Sequence, residues 1–165
     1  LMMKQKVFGV IGWKNAGKTG LMERLVAEIT ARGFSVSTLK HAHHNFDIDQ
    51  QGKDSYRHRD AGAQQVLLAS ANRWALMTEL RGEPEPPLDK LLAQLAPVDL
   101  VLVEGFKRDT HPKVCAYRQQ TSQSMIEDAS VLAYATDTVL DTPKPQFDLD
   151  DTVAIADFIC AKAGL

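Results

Sequence analysis

Cysteine is scarce in this chain, and long apolar runs are missing from it. The two cysteines, Cys115 and Cys160, lie in apolar surroundings without C-x-x-C spacing, which is typical of buried thiols rather than of a disulfide framework. No apolar stretch reaches the roughly 20 residues that a membrane-spanning helix requires, and the N-terminus lacks the apolar segment of a signal peptide. We therefore expect a cytoplasmic protein with no membrane partner.

The chain also lacks a strong excess of charge of either sign. It has 19 lysines and arginines against 21 acidic residues, a net charge of −2, so its overall charge favours neither nucleic acid nor an anionic membrane as a partner. Any anion must therefore be bound by a local site. The 165 residues contain no internal repeat and predict a single domain over residues 1–165. Leu1, which precedes Met2, is interpreted as a remnant of expression.

A glycine-rich segment between an apolar run and a helical pattern is the most informative stretch. It reads Gly12-Trp13-Lys14-Asn15-Ala16-Gly17-Lys18-Thr19 and matches the pattern G-x-x-x-x-G-K-[ST] of phosphate-binding loops. Such a loop directs backbone N–H groups and the positive end of the following helix at phosphate oxygens. We predict that residues 12–19 bind a nucleotide, with Lys18 at the β- and γ-phosphates and the Thr19 hydroxyl on Mg²⁺.

Apolar strands and amphipathic helices alternate along the chain. Strands are predicted at 7–11, 34–39, 99–103, 114–117 and 131–135, a hairpin at 65–69 and 74–78, and helices at 21–33, 88–95 and from Asp150 or Asp151 onward. Asp54 is expected to cap a short helix that ends near Gly62, and residues 141–145 to form a linker. The order predicts an α/β protein with a P-loop NTPase fold: a mainly parallel twisted sheet flanked by helices, with an added β-hairpin.

A second acidic residue for the metal is expected at the end of a buried strand. Asp99 and Glu104 bracket the apolar run 100–103, and at about 3.3 Å per residue they lie about 16 Å apart. Ligands of open parallel sheets bind at the carboxyl ends of the strands. We therefore predict that Glu104 acts on Mg²⁺ as a metal-binding and catalytic residue, while Asp99 starts the strand. Gly105 indicates a close backbone approach just after it.

The polar segment 40–62 holds four of the five histidines and has three interpretations. It is a transition-metal site, since His-x-His-His supplies imidazole ligands; or a switch segment around the triphosphate; or a solvated loop. In the second interpretation carboxylates contact Mg²⁺ or a catalytic water, and cations meet phosphate. The candidates are Asp47, Asp49, Asp54, Lys53, Arg57 and Arg59. Of these, Asp49 is the candidate catalytic and metal-binding residue.

The chemistry of the residues does not decide which base is bound. The Asn-Lys-x-Asp signature that reads guanine in many GTPases is absent from the sequence. Asp137 follows a predicted buried strand, where its carboxylate is placed to accept a hydrogen bond from a base. An Asp in this position is also common in turns.

Several motifs together resemble one family. They are the phosphate loop, then Leu39-Lys40-His41-Ala42-His43-His44 with Phe46, Asp49 and Gly52-Lys53-Asp54-Ser55, then Arg57-His58, Ala61-Gly62-Ala63 and Leu102-Val103-Glu104-Gly105-Phe106-Lys107. This set closely resembles the MobB family, molybdopterin-guanine dinucleotide biosynthesis protein B. The loop alone points only to P-loop NTPases, whereas the histidine-rich segment followed by Gly-Lys-Asp-Ser is specific. The resemblance runs from about residue 7 to 117 and continues more weakly to the C-terminus.

The resemblance implies a small GTPase-like protein that forms a homodimer, binds GTP with Mg²⁺ and hydrolyses it slowly. Its implied partner is the nucleotidyltransferase MobA, which attaches GMP to molybdopterin, and molybdopterin pathway intermediates are further possible ligands. Residues 12–19 would hold the triphosphate, Glu104 would stand in the second acidic motif, and residues 41–57 would form the characteristic loop. Gly20 departs from the Thr or Ser often found there, which bears on phosphate contacts at the helix end.

Three functions are open at this point. The leading one is a GTP-binding accessory protein of molybdenum cofactor biosynthesis, at most a slow GTPase because no arginine is assigned to complete the site. The second is a small-molecule kinase or ligase on the same scaffold. The third is a scaffold that binds no nucleotide.

Overall fold

The computed structural model describes residues 4–165, so Leu1 lies outside the described residues. The strands are β1 Val7–Ile11, β2 Val36–Lys40, β3 Gln65–Ala69, β4 Trp74–Thr78, β5 Leu100–Glu104, β6 Lys113–Tyr117, β7 Val131–Thr136 and β8 Gln146–Asp148. The helices are α1 Lys18–Ala31, α2 Asp54–Asp60, α3 Leu88–Leu92 and α4 Thr152–Ala163, with a short 3₁₀ turn at Gln119–Thr121.

The chain divides into two compact units. The larger contains residues 4–41 and 88–165, and the smaller contains residues 42–87. The larger unit holds a six-stranded sheet, and the smaller holds α2 with the antiparallel pair β3–β4, which confirms the predicted hairpin. The prediction of a single domain over residues 1–165 stays a prediction.

All six strands of the large sheet are parallel, in the order β2-β5-β1-β6-β7-β8. β1 lies between β5 and β6, with Val10 opposite Glu104 on one side and Val114 on the other. The carboxyl ends of these three strands therefore meet at one edge, where ligands of open parallel sheets bind.

Helices cover both faces of this sheet. Every side chain from Leu100 to Val103 is fully buried, as expected of a parallel strand packed on both faces. α1 and α4 pack on one face through residues spaced three or four apart, and α3 packs on the other against Val101 and Val103. The α1 and α4 residues in this core include Leu21, Leu25, Ile29, Ile155 and Ile159.

The observed helix ends correct three predictions. The helix α3 ends at Leu92 rather than at residue 95. α1 begins at Lys18 rather than at Leu21, with Gly17 as its N-cap at φ 94°. The prediction that Asp54 caps α2 was wrong: Lys53 is the N-cap in an extended conformation, no side chain caps that end, and Asp54 is the first helical residue. Asp151 does cap α4, since its Oδ1 accepts a hydrogen bond from the Ala154 N–H at 3.1 Å.

Three further findings bear on the sequence predictions. β8 was missed, because a three-residue edge strand is too short to show a periodic pattern. Cys115 and Cys160 are free and buried, as predicted. Among residues 4–165, no helix combines the length and apolar character needed to cross a membrane.

Candidate functional site

The loop between β1 and α1 has a backbone path that demands glycine. Gly12, Asn15 and Gly17 have positive φ values of 155°, 66° and 94°. A Cβ atom on Gly12 would lie 2.6 Å from the carbonyl oxygen of Ala116 and 3.3 Å from the Ala16 Cβ. The chain at residue 12 is therefore pressed against the end of β6, and the turn is the tight one that a phosphate cradle needs.

The start of α1 is open to an anion. Gly17, the N-cap, provides no side-chain hydrogen bond to the helix end, and the first turn contains no acidic residue. The first N–H groups of a helix have no partner within the helix, and the helix dipole makes them attractive to negative charge. The N–H groups beside Lys18 and Thr19 therefore have the chemistry of an anion site, and their contact with phosphate oxygens stays a prediction.

The Lys18 ammonium bends back over the loop. Its Nζ donates a hydrogen bond to the Gly12 carbonyl oxygen at 2.7 Å, which leaves two of its three N–H bonds for a ligand. Burial lowers the pKa of Lys18, and the negative charge of Glu104 opposes that shift. Lys18 therefore supplies a partly desolvated positive charge at the cradle.

Glu104 ends β5 beside the loop, at the position predicted from strand length. Its side chain is 14% exposed, and its Oε2 lies 4.0 Å from the Lys40 Nζ at the end of β2. Gly105 follows at φ 93°, and a Cβ there would lie 2.9 Å from the His41 Cβ, so the predicted close approach is confirmed. His41 stacks on Phe106 with ring centroids 4.5 Å apart.

The tip of the loop carries its remaining side chains. The Trp13 Nε1 donates to the Ser124 carbonyl oxygen at 2.8 Å, and the Lys107 Nζ lies 4.8 Å from the Trp13 ring centroid. Lys14 and Asn15 are exposed, whereas Ala16 is buried. A cavity of about 550 Å³ lies along this tip, lined by Trp13, Lys14, Asn15, Gln120, Thr121 and Gln123.

A second cavity, of about 520 Å³, lies over the start of α1. It is lined by Asn15, Gly17, Lys18, Thr19, Gly20, Arg24, Arg118 and Gln120. Its lining contains three cations and no carboxylate. Arg24 and Arg118 could not be predicted from the sequence, because no motif marks them. Arg118 reaches the loop only because β6 is the neighbour of β1.

Asp137, the candidate for reading a base, lies just after β7. Its Oδ1 accepts a hydrogen bond from the Gln119 N–H at 2.9 Å. The side chain therefore anchors the start of the 3₁₀ turn, and its contact with a base stays a prediction.

Asp49 belongs to the smaller unit and lies in a charge cluster there. Its side chain is 2% exposed, and its Oδ1 lies 2.5 Å from the Arg59 Nη2. Arg59 also pairs with Asp47 and Glu79. Desolvation acts in the opposite direction, but hydrogen bonds from Arg59 and Ser55 hold the pKa of Asp49 below its usual range. The predicted role of Asp49 at the metal stays a prediction.

The histidine-rich segment does not assemble a metal cluster in the part of the chain that the structure describes. No group of three or more His, Cys, Asp or Glu side chains among residues 4–165 is placed to hold a metal ion. The transition-metal interpretation thus gains no support, and the switch and solvated-loop interpretations stay open.

The residues around the loop suit a polyphosphate with Mg²⁺. Phosphate oxygens would fit the space beside Gly12, which a Cβ atom would fill, and the open start of α1. The three cations that line the cavity there supply the opposite charge. A Thr hydroxyl and a carboxylate at the adjacent strand end are oxygen donors, the type that Mg²⁺ prefers. Thr19 and Glu104 would hold the ion, which would neutralise charge on the terminal phosphates.

Comparison with known proteins identifies the family. A family model described as MobB, molybdopterin guanine dinucleotide synthesis protein B, matches residues 7–137. The molybdopterin-guanine dinucleotide biosynthesis adapter protein of Haemophilus influenzae is 44% identical over 157 residues, which cover 93% of this chain and 86% of that protein. The protein of the same name from Escherichia coli is 39% identical over 152 residues, covering 89% and 87%.

Solved structures agree with this result. The crystal structure of a MobB homologue from Bacillus stearothermophilus matches with a TM-score of 0.71 and 29% identity, covering 97% of this chain and 99% of that one. The Bacillus subtilis MobB structure matches with a TM-score of 0.74 and 26% identity, covering 95% and 97%. The predicted fold class is thereby confirmed, and this chain belongs to the MobB family.

Proposed function

We propose that this protein is a GTP-binding adapter in molybdopterin guanine dinucleotide biosynthesis, which assists a MobA-type nucleotidyltransferase that attaches GMP to molybdopterin. The relatives' names support the adapter role. The observation that carries nucleotide binding is the cradle of residues 12–19, whose glycine conformations, open helix start and Lys18 ammonium suit a triphosphate.

Hydrolysis by the isolated protein is expected to be slow. Glu104 and Thr19 provide oxygen donors for Mg²⁺, but transition-state charge on the γ-phosphate also calls for a cation at that end. An arginine at this position is worth about 10³- to 10⁵-fold in turnover. Of the three cations that line the cavity, Lys18 belongs to the loop itself, and the two arginines, Arg24 and Arg118, line a cavity that Glu104 does not line.

The cytoplasm is the proposed compartment, and the two free thiols are consistent with its reducing conditions. A homodimer is proposed as well. Leu67, Trp74 and Leu76 form an exposed apolar face on the β3–β4 hairpin, which is a surface that a second copy would shield from water. Molybdopterin intermediates are proposed as further ligands of the assembly with the transferase.

Nucleotide titration followed by a label experiment tests the function. A ligand at 100 times its Kd stabilises the fold by about 2.7 kcal/mol, so GTP with Mg²⁺ should raise the melting temperature, and more than ATP does. With γ-labelled GTP and the transferase, we expect slow release of labelled phosphate. Transfer of the label to a small molecule, or no thermal shift with any nucleotide, would contradict the proposal.

A further inference from the structure

Arg118 is one of the three cations in the cavity over the start of α1, and it comes from outside the loop of residues 12–19. It follows β6, and its guanidinium lies against the start of α1. A Cβ on Gly17 would lie 3.1 Å from the Arg118 Nη2 and 3.2 Å from its Cζ. The guanidinium thus faces the same helix start that is open to phosphate oxygens.

The charge of Arg118 is not neutralised by the protein. Among residues 4–165 no carboxylate lies within ion-pair distance of it, and its guanidinium donates only to the Asn15 carbonyl oxygen, at 3.5 Å. Arg24, in the same cavity, instead donates to the Leu149 carbonyl oxygen and the Thr152 hydroxyl. Arg24 is therefore tied to the start of α4, whereas Arg118 keeps most of its five N–H donors for a ligand.

The backbone that carries Arg118 is held in place. The next N–H, of Gln119, donates to the Asp137 carboxylate at 2.9 Å, and the Thr121 hydroxyl donates to the Arg118 carbonyl oxygen at 2.8 Å. These bonds fix the segment before any ligand arrives, which reduces the ordering cost of binding. Asp137 thus helps to hold the backbone next to Arg118.

Strand order decides which part of a nucleotide Arg118 faces. Glu104, the candidate Mg²⁺ residue, ends β5 on one side of β1, and Arg118 follows β6 on the other. Thr19 and Glu104 would hold Mg²⁺, which would supply charge neutralisation at the terminal phosphates, so the terminal phosphate would belong on the Glu104 side. The Arg118 side is left for the α-phosphate and the nucleoside attached to it.

We propose that Arg118 is a nucleotide-contacting residue, whose guanidinium binds the α-phosphate end, the portion that GTP and GDP share. This inference rests on the proposed binding of GTP. It predicts that loss of the Arg118 side chain weakens the binding of GTP and the binding of GDP by the same factor. A contact with the γ-phosphate would instead weaken GTP alone.

Calorimetric titration of GTP and GDP, each with Mg²⁺, tests this with four proteins: wild type, Arg118→Ala, Arg118→Lys and the control Arg73→Ala. Arg73 is an exposed arginine at the hairpin turn of the smaller unit. Arg118→Ala should raise both Kd values by the same factor, about 10- to 100-fold for a charged hydrogen bond. The Kd values of Arg118→Lys should lie between those of wild type and Arg118→Ala, because lysine keeps the positive charge but lacks the planar guanidinium. Arg73→Ala should bind as wild type does.

Melting without nucleotide separates binding from folding. Arg118→Ala should melt at the wild-type temperature, since the side chain makes only one long hydrogen bond. The inference is overturned if Arg118→Ala binds both nucleotides like wild type, or if only GTP is weakened. If wild type itself binds neither nucleotide, the proposed function fails together with it.

Discussion

His111 should make the protein sensitive to mild acid. Neither ring nitrogen has a hydrogen-bond partner among the described residues, and both are buried. The ring packs on the backbone of Gly9, where a Cβ would lie 2.7 Å from the His111 Nε2. Burial and the nearby Lys113 ammonium lower the pKa of His111 to about 4, against the opposing charge of Asp109.

The direction of the pH effect follows from these pKa values. In the unfolded chain the pKa of His111 returns to about 6.5, so the unfolded state takes up a proton first as the pH falls. The contribution of the neutral His111 ring to the free energy of unfolding is fully present above about pH 6.5 and is lost as the pH falls towards 4. A shift of about 2.5 units corresponds to about 3 kcal/mol. Because the residue as a whole is only partly buried, solvent screening reduces this figure, and we expect a loss of about 2 kcal/mol in the free energy of unfolding.

Urea unfolding of wild type and His111→Phe between pH 7 and pH 4.5 measures this loss. At pH 7 the two proteins should differ by less than about 1 kcal/mol, because the replacement removes no hydrogen bond and adds little volume. At pH 4.5 the variant should be the more stable by about 2 kcal/mol. His44→Phe, the same change at an exposed histidine, should follow wild type. If the free energies of unfolding of wild type and His111→Phe change in parallel between pH 7 and pH 4.5, the reasoning is refuted.

Two further substitutions test the loop and the smaller unit. Gly12→Ala should lower the free energy of unfolding by about 1–3 kcal/mol and abolish GTP binding, because its Cβ meets the Ala116 carbonyl oxygen. The control Gly33→Ala, whose Cβ would have open space around it, should still bind GTP. Equal GTP affinities of the two variants in a titration would count against the cradle. Arg59→Met should speed proteolysis within residues 42–87, because Asp49 loses its cation. Arg57→Met, on the same helix, should not, and equal digestion rates would show that the cluster does not hold the unit.

Local patterns were sufficient to predict the glycine-rich loop of residues 12–19 between a strand and a helix. The G-x-x-x-x-G-K-[ST] pattern acts through neighbours in sequence, so residues 12–19 were recognised without knowledge of the rest of the fold. Glu104 was placed from strand length and from the rule that ligands bind at the carboxyl ends of parallel strands, and it lies at the expected end of β5. The hairpin at residues 65–78 was likewise marked by two apolar runs around a short turn.

Features that depend on distant parts of the chain were not predictable in this way. Arg118 lies 101 residues after Gly17 in the sequence, and only the pairing of β6 with β1 brings it to the loop. Asp54 follows an N-cap rule, yet the helix begins with Lys53 as its cap. The hydrogen bond that the Asp137 carboxylate accepts from the Gln119 N–H could not be predicted either, because it depends on the turn after β6; the contact of Asp137 with a base stays a prediction.

The most direct test is the affinity of GTP for wild type and for Lys18→Ala. Lys90→Ala, which removes an exposed lysine from α3, is the matched control. Wild type and Lys90→Ala should bind equally, and Lys18→Ala should bind at least about 10-fold more weakly, since a charged contact to phosphate is lost. Unchanged affinity in Lys18→Ala would show that the loop of residues 12–19 does not hold the nucleotide.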